Sequence, residues 1–170
     1  FPVLLKAVAG GGGRGMRVVR CADEGQGAFD SASAEALSGF SDGRLYVERL
    51  VEDARHIEFQ VLGDGREVRV LGERECSIQR RHQKLLEETP SPALSDAAGQ
   101  ALRHDIVAKV AHAVGALGYR GAGTIEMLLA PEGALYFMEM NTRLQVEHTV
   151  TEMVTGLDLV EVQLRIAANG

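Results

Sequence analysis

The stretch GTIEMLLAPEGALYFMEMNTRLQVEH, residues 123–148, decides how this chain is read. Two apolar arms flank Pro131, Glu132 and Gly133, the pattern of a β-hairpin. With Glu132 and Gly133 as a two-residue turn, Pro131 pairs with Ala134, and counting back along both arms sets Glu126 opposite Glu139. Like charges opposed on a sheet are unfavourable, and burying them unpaired costs more. A divalent cation between them removes the conflict. All-oxygen donors favour Mg2+ or Mn2+, and Asn141, two residues beyond Glu139 on the same face, can add a ligand. The competing reading is a one-residue register shift that turns one glutamate to solvent. Beyond Glu139, polar residues recur at every second position: Asn141, Arg143, Gln145 and Glu147. A strand face turned to a core would be apolar, so this run marks a site.

Upstream, RHIEFQVLGDGREVRVLGERECSIQ (55–79) reads as another hairpin, apolar on one side at Ile57, Phe59 and Val61, with the turn at residues 63–65. RRHQKLLEETPSPALS (80–95) reads as a polar connector. From Asp96 to Gly118, Leu102, Ile106, Val110, Val114 and Leu117 keep the period of an amphipathic helix that Gly115 and Gly118 end. PVLLKAV (2–8), a strand after the glycine loop, and RLYVERLV (44–51) complete a small first lobe. That lobe includes a short helix over 30–40 capped by Asp30, and a last helix covers 157–170. Strands and helices interleave, which predicts an α+β fold with antiparallel or mixed sheets. The expected division is 1–50 and 51–170.

The chain has 170 residues, a net charge of −6, 45% hydrophobic residues, no Trp and two cysteines, Cys21 and Cys76. Acidic balance and few aromatics argue against a nucleic-acid surface. No apolar run approaches the ~20 residues that span a bilayer. Cysteines without metal-ligand spacing fit a reduced, intracellular setting. The opening on FPVLL without Met reads as a piece cut from a longer polypeptide.

Two further groups carry chemistry. Gly10, Gly11, Gly12, Gly13 and Gly15 leave backbone N–H groups accessible, and Lys6 and Arg14 flank them, which suits polyphosphate. No Gly-Lys-Ser/Thr follows, so this is not a Walker loop; the plain alternative is a flexible hairpin tip. Arg80, Arg81, His82 and Lys84 form a dense cation cluster, which the plain alternative makes a solvated basic face. An anion held by Lys84 and Arg143, with Glu147 beside it to take a proton, is a coherent active-site arrangement.

Taken together, KAVAGGGGRGM (6–16), ERECSIQRRHQK (73–84), GYRGAGTIEMLL (118–129) and MEMNTRLQVEHTVTEMVTG (138–156) resemble the biotin carboxylase component of biotin-dependent carboxylases, members of the ATP-grasp superfamily. The resemblance runs essentially end to end and covers the lid (1–50) and the first part of the large lobe (51–170). It implies that Lys6 and Gly10 to Gly15 belong to a lid closing on ATP phosphates. Met16, Glu48, Val51 and Leu128 would line the adenine pocket; His56, Gln79 and His82 would contact ribose or phosphates. Glu126, Glu139 and Asn141 would hold Mg2+ or Mn2+. Lys84, Arg143, Gln145, Val146 and Glu147 would surround bicarbonate, with Glu147 as base and Arg143 near biotin.

The implied reaction is ATP-dependent carboxylation of biotin through carboxyphosphate. The implied partners are a biotin carrier protein and a carboxyltransferase in a homo-oligomeric cytoplasmic or mitochondrial parent, with no nucleic-acid or membrane partner. Thr149 and Ala54 stand where many family members have Pro, which puts local loop shape in doubt. The family's other lobes do not match this stretch, so the chain alone is expected to be inactive. Two alternatives remain at this stage: another ATP-grasp ligase forming an acyl-phosphate, of the carbamoyl-phosphate synthetase type, or a non-catalytic nucleotide-binding module.

Overall fold

Alternating apolar strands, closed by tight turns, build two separate antiparallel sheets. The structure, a computed structural model, describes residues 1–10 and 14–168. It divides into two units, Phe1–Glu52 with Arg80–Gln83, and Asp53–Gln79 with Lys84–Gly170.

In the first unit, β1 (Val3–Ala7) lies between β2 (Met16–Val19) and β3 (Leu45–Arg49), antiparallel to both. Helix α1 covers the sheet, and Leu5, Ala7, Val19, Ala32 and Ala36 form the buried layer. The expected helix over 30–40 is in fact Ala22–Phe40. Asp23 and Glu24 favour the positive end of the helix, and the Glu24 carboxylate accepts the Arg20 N–H at 2.9 Å. Gly25 and Gly27 resemble breakers but face open space, so they cost propensity without disturbing packing. Asp30 is therefore not a cap; it accepts from the Gln26 amide within the helix.

The second unit is a five-stranded sheet in the order β6-β5-β4-β7-β8, from β4 (Arg55–Asp64), β5 (Val68–Arg80), β6 (Gln83–Glu88), β7 (Arg120–Leu129) and β8 (Leu135–Asn141). One face carries Ile57, Phe59, Val61, Ile125, Met127 and Leu129 under α2 (Ala97–Ala116), which contributes Ile106, Val110 and Val114. Asp96 caps α2, its carboxylate accepting the Gly99 N–H at 2.7 Å. Leu117 falls outside the buried stripe and is exposed, because the helix ends at Ala116. On the opposite face, Leu62, Ala122 and Leu159 pack under α4 (Leu159–Ala168), while the other end of that face is polar. α3 (His148–Thr155) joins β8 to α4.

Two bulges decide which side chains reach the polar end. In β5 the register shifts between Phe59↔Glu73 and Val61↔Val70, with Gly72 at φ 89°. Val68 and Val70 therefore pack toward α2 before the bulge, and the parity reverses after it. Arg74 then pairs in register with Glu58.

The second bulge lies in β8. The β7–β8 turn is one residue out of the expected register, since Leu129 pairs with Leu135 and Met127 with Phe137. An extra residue at Met138 restores the count, so Glu126 still faces Glu139. Residues 80–95, expected as a connector, contain β6, entered through Arg81 and His82 at φ 53° and 63°. Both central residues of a two-residue hairpin turn take positive φ, and Arg-His lacks the usual Asn-Gly signal.

Candidate active site

A cross-strand row defines the site. Glu58 on β4 pairs with Glu126 on β7, and Glu126 with Glu139 on β8, while Arg74 on β5 pairs with Glu58. The polar face of β4 continues with His56 and Gln60, both buried. Opposed acids in a buried sheet demand compensation.

Lys84 on β6 supplies it. Its ammonium donates to Glu58 at 2.5 Å, to Glu126 at 2.9 Å and to Glu147. An ammonium has three donors, so all are engaged. Burial lowers the Lys84 pKa, but the Glu58, Glu147 and Glu126 carboxylates outweigh it and the net shift is upward. Burial likewise raises Glu126, yet His56, Lys84 and Gln145 hold it down at about 2. Glu147 follows the same pattern: burial raises it, the Lys84 hydrogen bond and nearby positive charge outweigh that, and the net is below the usual carboxylate range.

Glu126 Oε1 also accepts from Asn141 at 3.0 Å and Gln145 at 2.7 Å. His56 Nε2 lies 3.2 Å from Glu126 Oε2. The Gln79 amide donates to His56 Nδ1 at 2.9 Å, which puts the ring proton on Nε2, toward Glu126. Glu139 is exposed on the edge strand, and Asn141 approaches it at 3.5 Å.

The structure thus brings Lys84, Glu126, Asn141, Gln145, Glu147, His56 and Gln79 together, with Glu139 at the rim. It does not bring in Arg143, which is exposed and bonds the Leu144 carbonyl at 3.4 Å, or Val146, which is 90% exposed. The polar run is also not one strand. β8 ends at Asn141, and Glu147 is the N-cap residue of α3. The ladder breaks because the chain leaves the sheet edge, while Gln145 and Glu147 turn back inward.

His82 sits in the β5–β6 turn and Leu128 pairs with His56 on β7. In the first unit, Lys6 Nζ meets the Glu48 carboxylate at 3.1 Å and lies 5.5 Å over the Tyr46 ring. Burial lowers the Lys6 pKa and Glu48 more than offsets it, so the net is upward. Met16 pairs with Lys6 in register, Val51 follows β3, and Gly10 and Gly15 flank the loop. Gly15 has φ 71°. Gly11, Gly12 and Gly13 lie outside the described residues.

The whole chain, residues 1–170, matches the family described as carbamoyl-phosphate synthase L chain, ATP binding domain. The chain belongs to this family. Its similarities lie on the biotin carboxylase branch of the ATP-grasp superfamily. It is 55% identical over 168 residues to the biotin carboxylase of Nostoc sp. (strain PCC 7120), covering 98% of this chain and 37% of the relative. It is 51% identical over 169 residues to that of Haemophilus influenzae, covering 99% and 37%.

Among solved structures, the biotin carboxylase–βγ-ATP complex from Campylobacter jejuni superimposes with a TM-score of 0.91 at 50% identity, over 98% of this chain and 37% of that one. The biotin carboxylase domain of Hydrogenobacter thermophilus 2-oxoglutarate carboxylase, solved with MgADP, ADP and bicarbonate, gives 0.92 at 50%, over 100% and 37%. The chain spans 37% of the length of these four relatives.

In this biotin carboxylase-type chain, the sequence reading missed Glu58, Gln60, Arg74 and Thr151, which form the buried support of the Lys84 cluster. A signal existed. His56, Glu58 and Gln60 alternate with Ile57, Phe59 and Val61, the same every-second-residue polarity that singled out 139–147. Among the described residues, His56, Glu58 and Glu126 lie close enough to share a metal ion, as do Glu58, Cys76 and Glu147. Among them also, no helix is long and apolar enough to cross a membrane.

Proposed function

We propose that this chain is the ATP-grasp lid (1–50) and the first part of the large lobe (51–170) of a biotin carboxylase. The parent would use ATP and bicarbonate to carboxylate biotin on a carrier protein, passing the carboxyl group to a carboxyltransferase. The observation that carries the reading is Lys84 held among buried Glu58, Glu126 and Glu147.

Bicarbonate is a weak nucleophile, and removing its proton strengthens it. Glu147 is ionised at neutral pH, which suits a base, but while Lys84 holds it the carboxylate is weakly basic. All three Lys84 donors are engaged, so binding an anion requires one carboxylate to give way. If Lys84 turns to the anion, Glu147 loses its partner and its basicity rises where a proton must be taken. Gln145, buried with Oε1 unpaired, offers a further polar contact, and exposed Arg143 and Val146 can approach substrate from the open side.

The opposed Glu126 and Glu139, with Asn141 bridging them, fit Mg2+ or Mn2+: the donors are oxygens and the exposed side of Glu139 leaves room for water and phosphate. Such an ion supplies positive charge to the phosphoryl oxygens during transfer to bicarbonate. Of the residues that the family resemblance assigns to ATP, Lys6, Gly10 to Gly13, Gly15, Met16, Glu48, Val51 and His82 belong to the first unit and His56, Gln79 and Leu128 to the second.

The relatives solved with ATP-type nucleotide and with bicarbonate support this assignment. RRHQK (80–84) and RLQVEH (143–148) favour the carboxylase over another ATP-grasp ligase of the carbamoyl-phosphate synthetase type, and the presence of Glu126, Glu139, Arg143 and Glu147 together favours it over a module that only binds nucleotide. The test is ATP cleavage by the full-length protein. Cleavage that requires both bicarbonate and biotin, and falls roughly 10²–10⁴-fold in Glu147→Gln, is the expected result. Cleavage indifferent to biotin would refute it. Residues 1–170 alone are expected to show no turnover.

A further inference from the structure

Arg74 has no place in the chemistry above, yet it is fully buried and makes three side-chain hydrogen bonds on the polar face. Nε donates to Glu58 Oε1 at 2.6 Å, and Nη1 donates to Gln60 Oε1 at 2.8 Å and to Thr151 Oγ1 at 2.7 Å. Gln60 in turn donates to the Gly123 carbonyl on β7 at 2.9 Å. One guanidinium therefore ties β5 to β4 and α3, and through Gln60 to β7.

Thr151 lies one helical turn after Glu147, the N-cap residue of α3, and the Val150 N–H bonds the Glu147 carbonyl at 3.1 Å. Glu58 divides its oxygens: Oε1 faces Arg74 and Oε2 faces Lys84. Moving Arg74 thus shifts two of the three groups that meet at the ammonium. Well-packed apolar residues in place of the whole Arg74–Glu58 pair would stabilise such a site about as well, because burying both charges carries a large desolvation cost. The planar fork, unlike a lysine or an apolar chain, fixes directions as well as distance.

We propose that Arg74 is a positioning residue for the bicarbonate reaction: it sets α3, and with it Glu147, at a fixed place relative to Glu58 and Lys84. The proposal rests on the carboxylase reading of Glu147.

The test uses the full-length protein with Arg74→Lys, Thr151→Val, Thr151→Ser and, as a control on the reading itself, Glu147→Gln. Thr151→Val cuts the tie to α3 without leaving a charge unpaired, so it stays folded if Arg74→Lys does not. The expected result is a roughly tenfold or larger rise in KM for bicarbonate in Thr151→Val and Arg74→Lys, an unchanged KM for ATP, and rescue by Thr151→Ser. If Glu147→Gln abolishes turnover while folded Thr151→Val and Arg74→Lys keep both KM values, the positioning claim falls and the carboxylase reading stands. A Thr151→Val that lowers the melting temperature and leaves the bicarbonate KM alone makes Arg74 structural only, which also overturns the claim. If Glu147→Gln itself retains full bicarbonate-dependent turnover, the reading fails and Arg74 has nothing to position.

Discussion

Replacing Lys84 with Met should destabilise the chain by an amount that depends on pH in a definite sense. The substitution removes the ammonium shared by Glu58, Glu126 and Glu147, which are 0%, 5% and 9% exposed. Breaking a buried ion pair from one side leaves uncompensated charge and costs about 3–5 kcal/mol. For a chain of this size that lowers the melting temperature by roughly 6–20 °C.

The sign with pH follows from the carboxylates. Glu126 is held at about 2 and Glu147 below its usual range, so each contributes stability that is present above the ordinary carboxylate pKa and lost as pH falls through its depressed value. The variant lacks the ammonium that depresses them, and its carboxylates take up protons at higher pH. The difference between wild type and variant is therefore largest near about pH 8 and narrows toward about pH 4. Urea unfolding followed by far-UV circular dichroism at both ends of that range measures it. An equal loss at both pH values, or a loss under about 1 kcal/mol near pH 8, would show that the cluster does not carry the charge balance described.

Three other substitutions probe the scaffold. Gly72→Ala places a side chain at φ 89° in open space, so strain without a clash should cost roughly 1–2 kcal/mol by urea unfolding, and no loss would deny the bulge. Asp96→Ala removes the α2 cap and should cost about 1 kcal/mol, read as faster amide exchange in the first turn of α2. Phe59→Ala opens a cavity in the layer beneath α2 and should cost about 3–5 kcal/mol, whereas a change near zero would place Phe59 outside the core.

How far the sequence could be read depended on whether local chemistry matched the structure it formed. The period of α2 was plain because Ile106, Val110 and Val114 recur at the spacing of the face they bury. The Glu126–Glu139 register was also reached, but through two offsets that cancel. The turn is a residue longer than a two-residue loop, and Met138 bulges by one. Neither shows in composition, since bulges depend on packing across the sheet. β6 was missed because Arg81 and His82 adopt positive φ without Gly or Asn, and the start of α1 because Gly25 and Gly27 imitate a break. Glu58 and Arg74 were legible as polarity on β4 and β5 but not as partners, because the Gly72 bulge decides which residues of β5 face the site. Arg143 entered through the alternating polar run and Val146 only through family resemblance, and here both stand exposed, outside the hydrogen bonds of the Lys84 cluster.

The claim on which the rest depends is that Glu126 and Glu139 are opposed in order to share a cation. Calorimetric titration of residues 1–170 with ATP, with and without Mg2+, in wild type, Glu126→Gln and Glu139→Gln, tests it most directly. The account predicts binding that needs Mg2+ and that both substitutions weaken. Binding of equal strength without Mg2+ and in both variants would contradict it, and would make the row of glutamates a structural feature of the sheet.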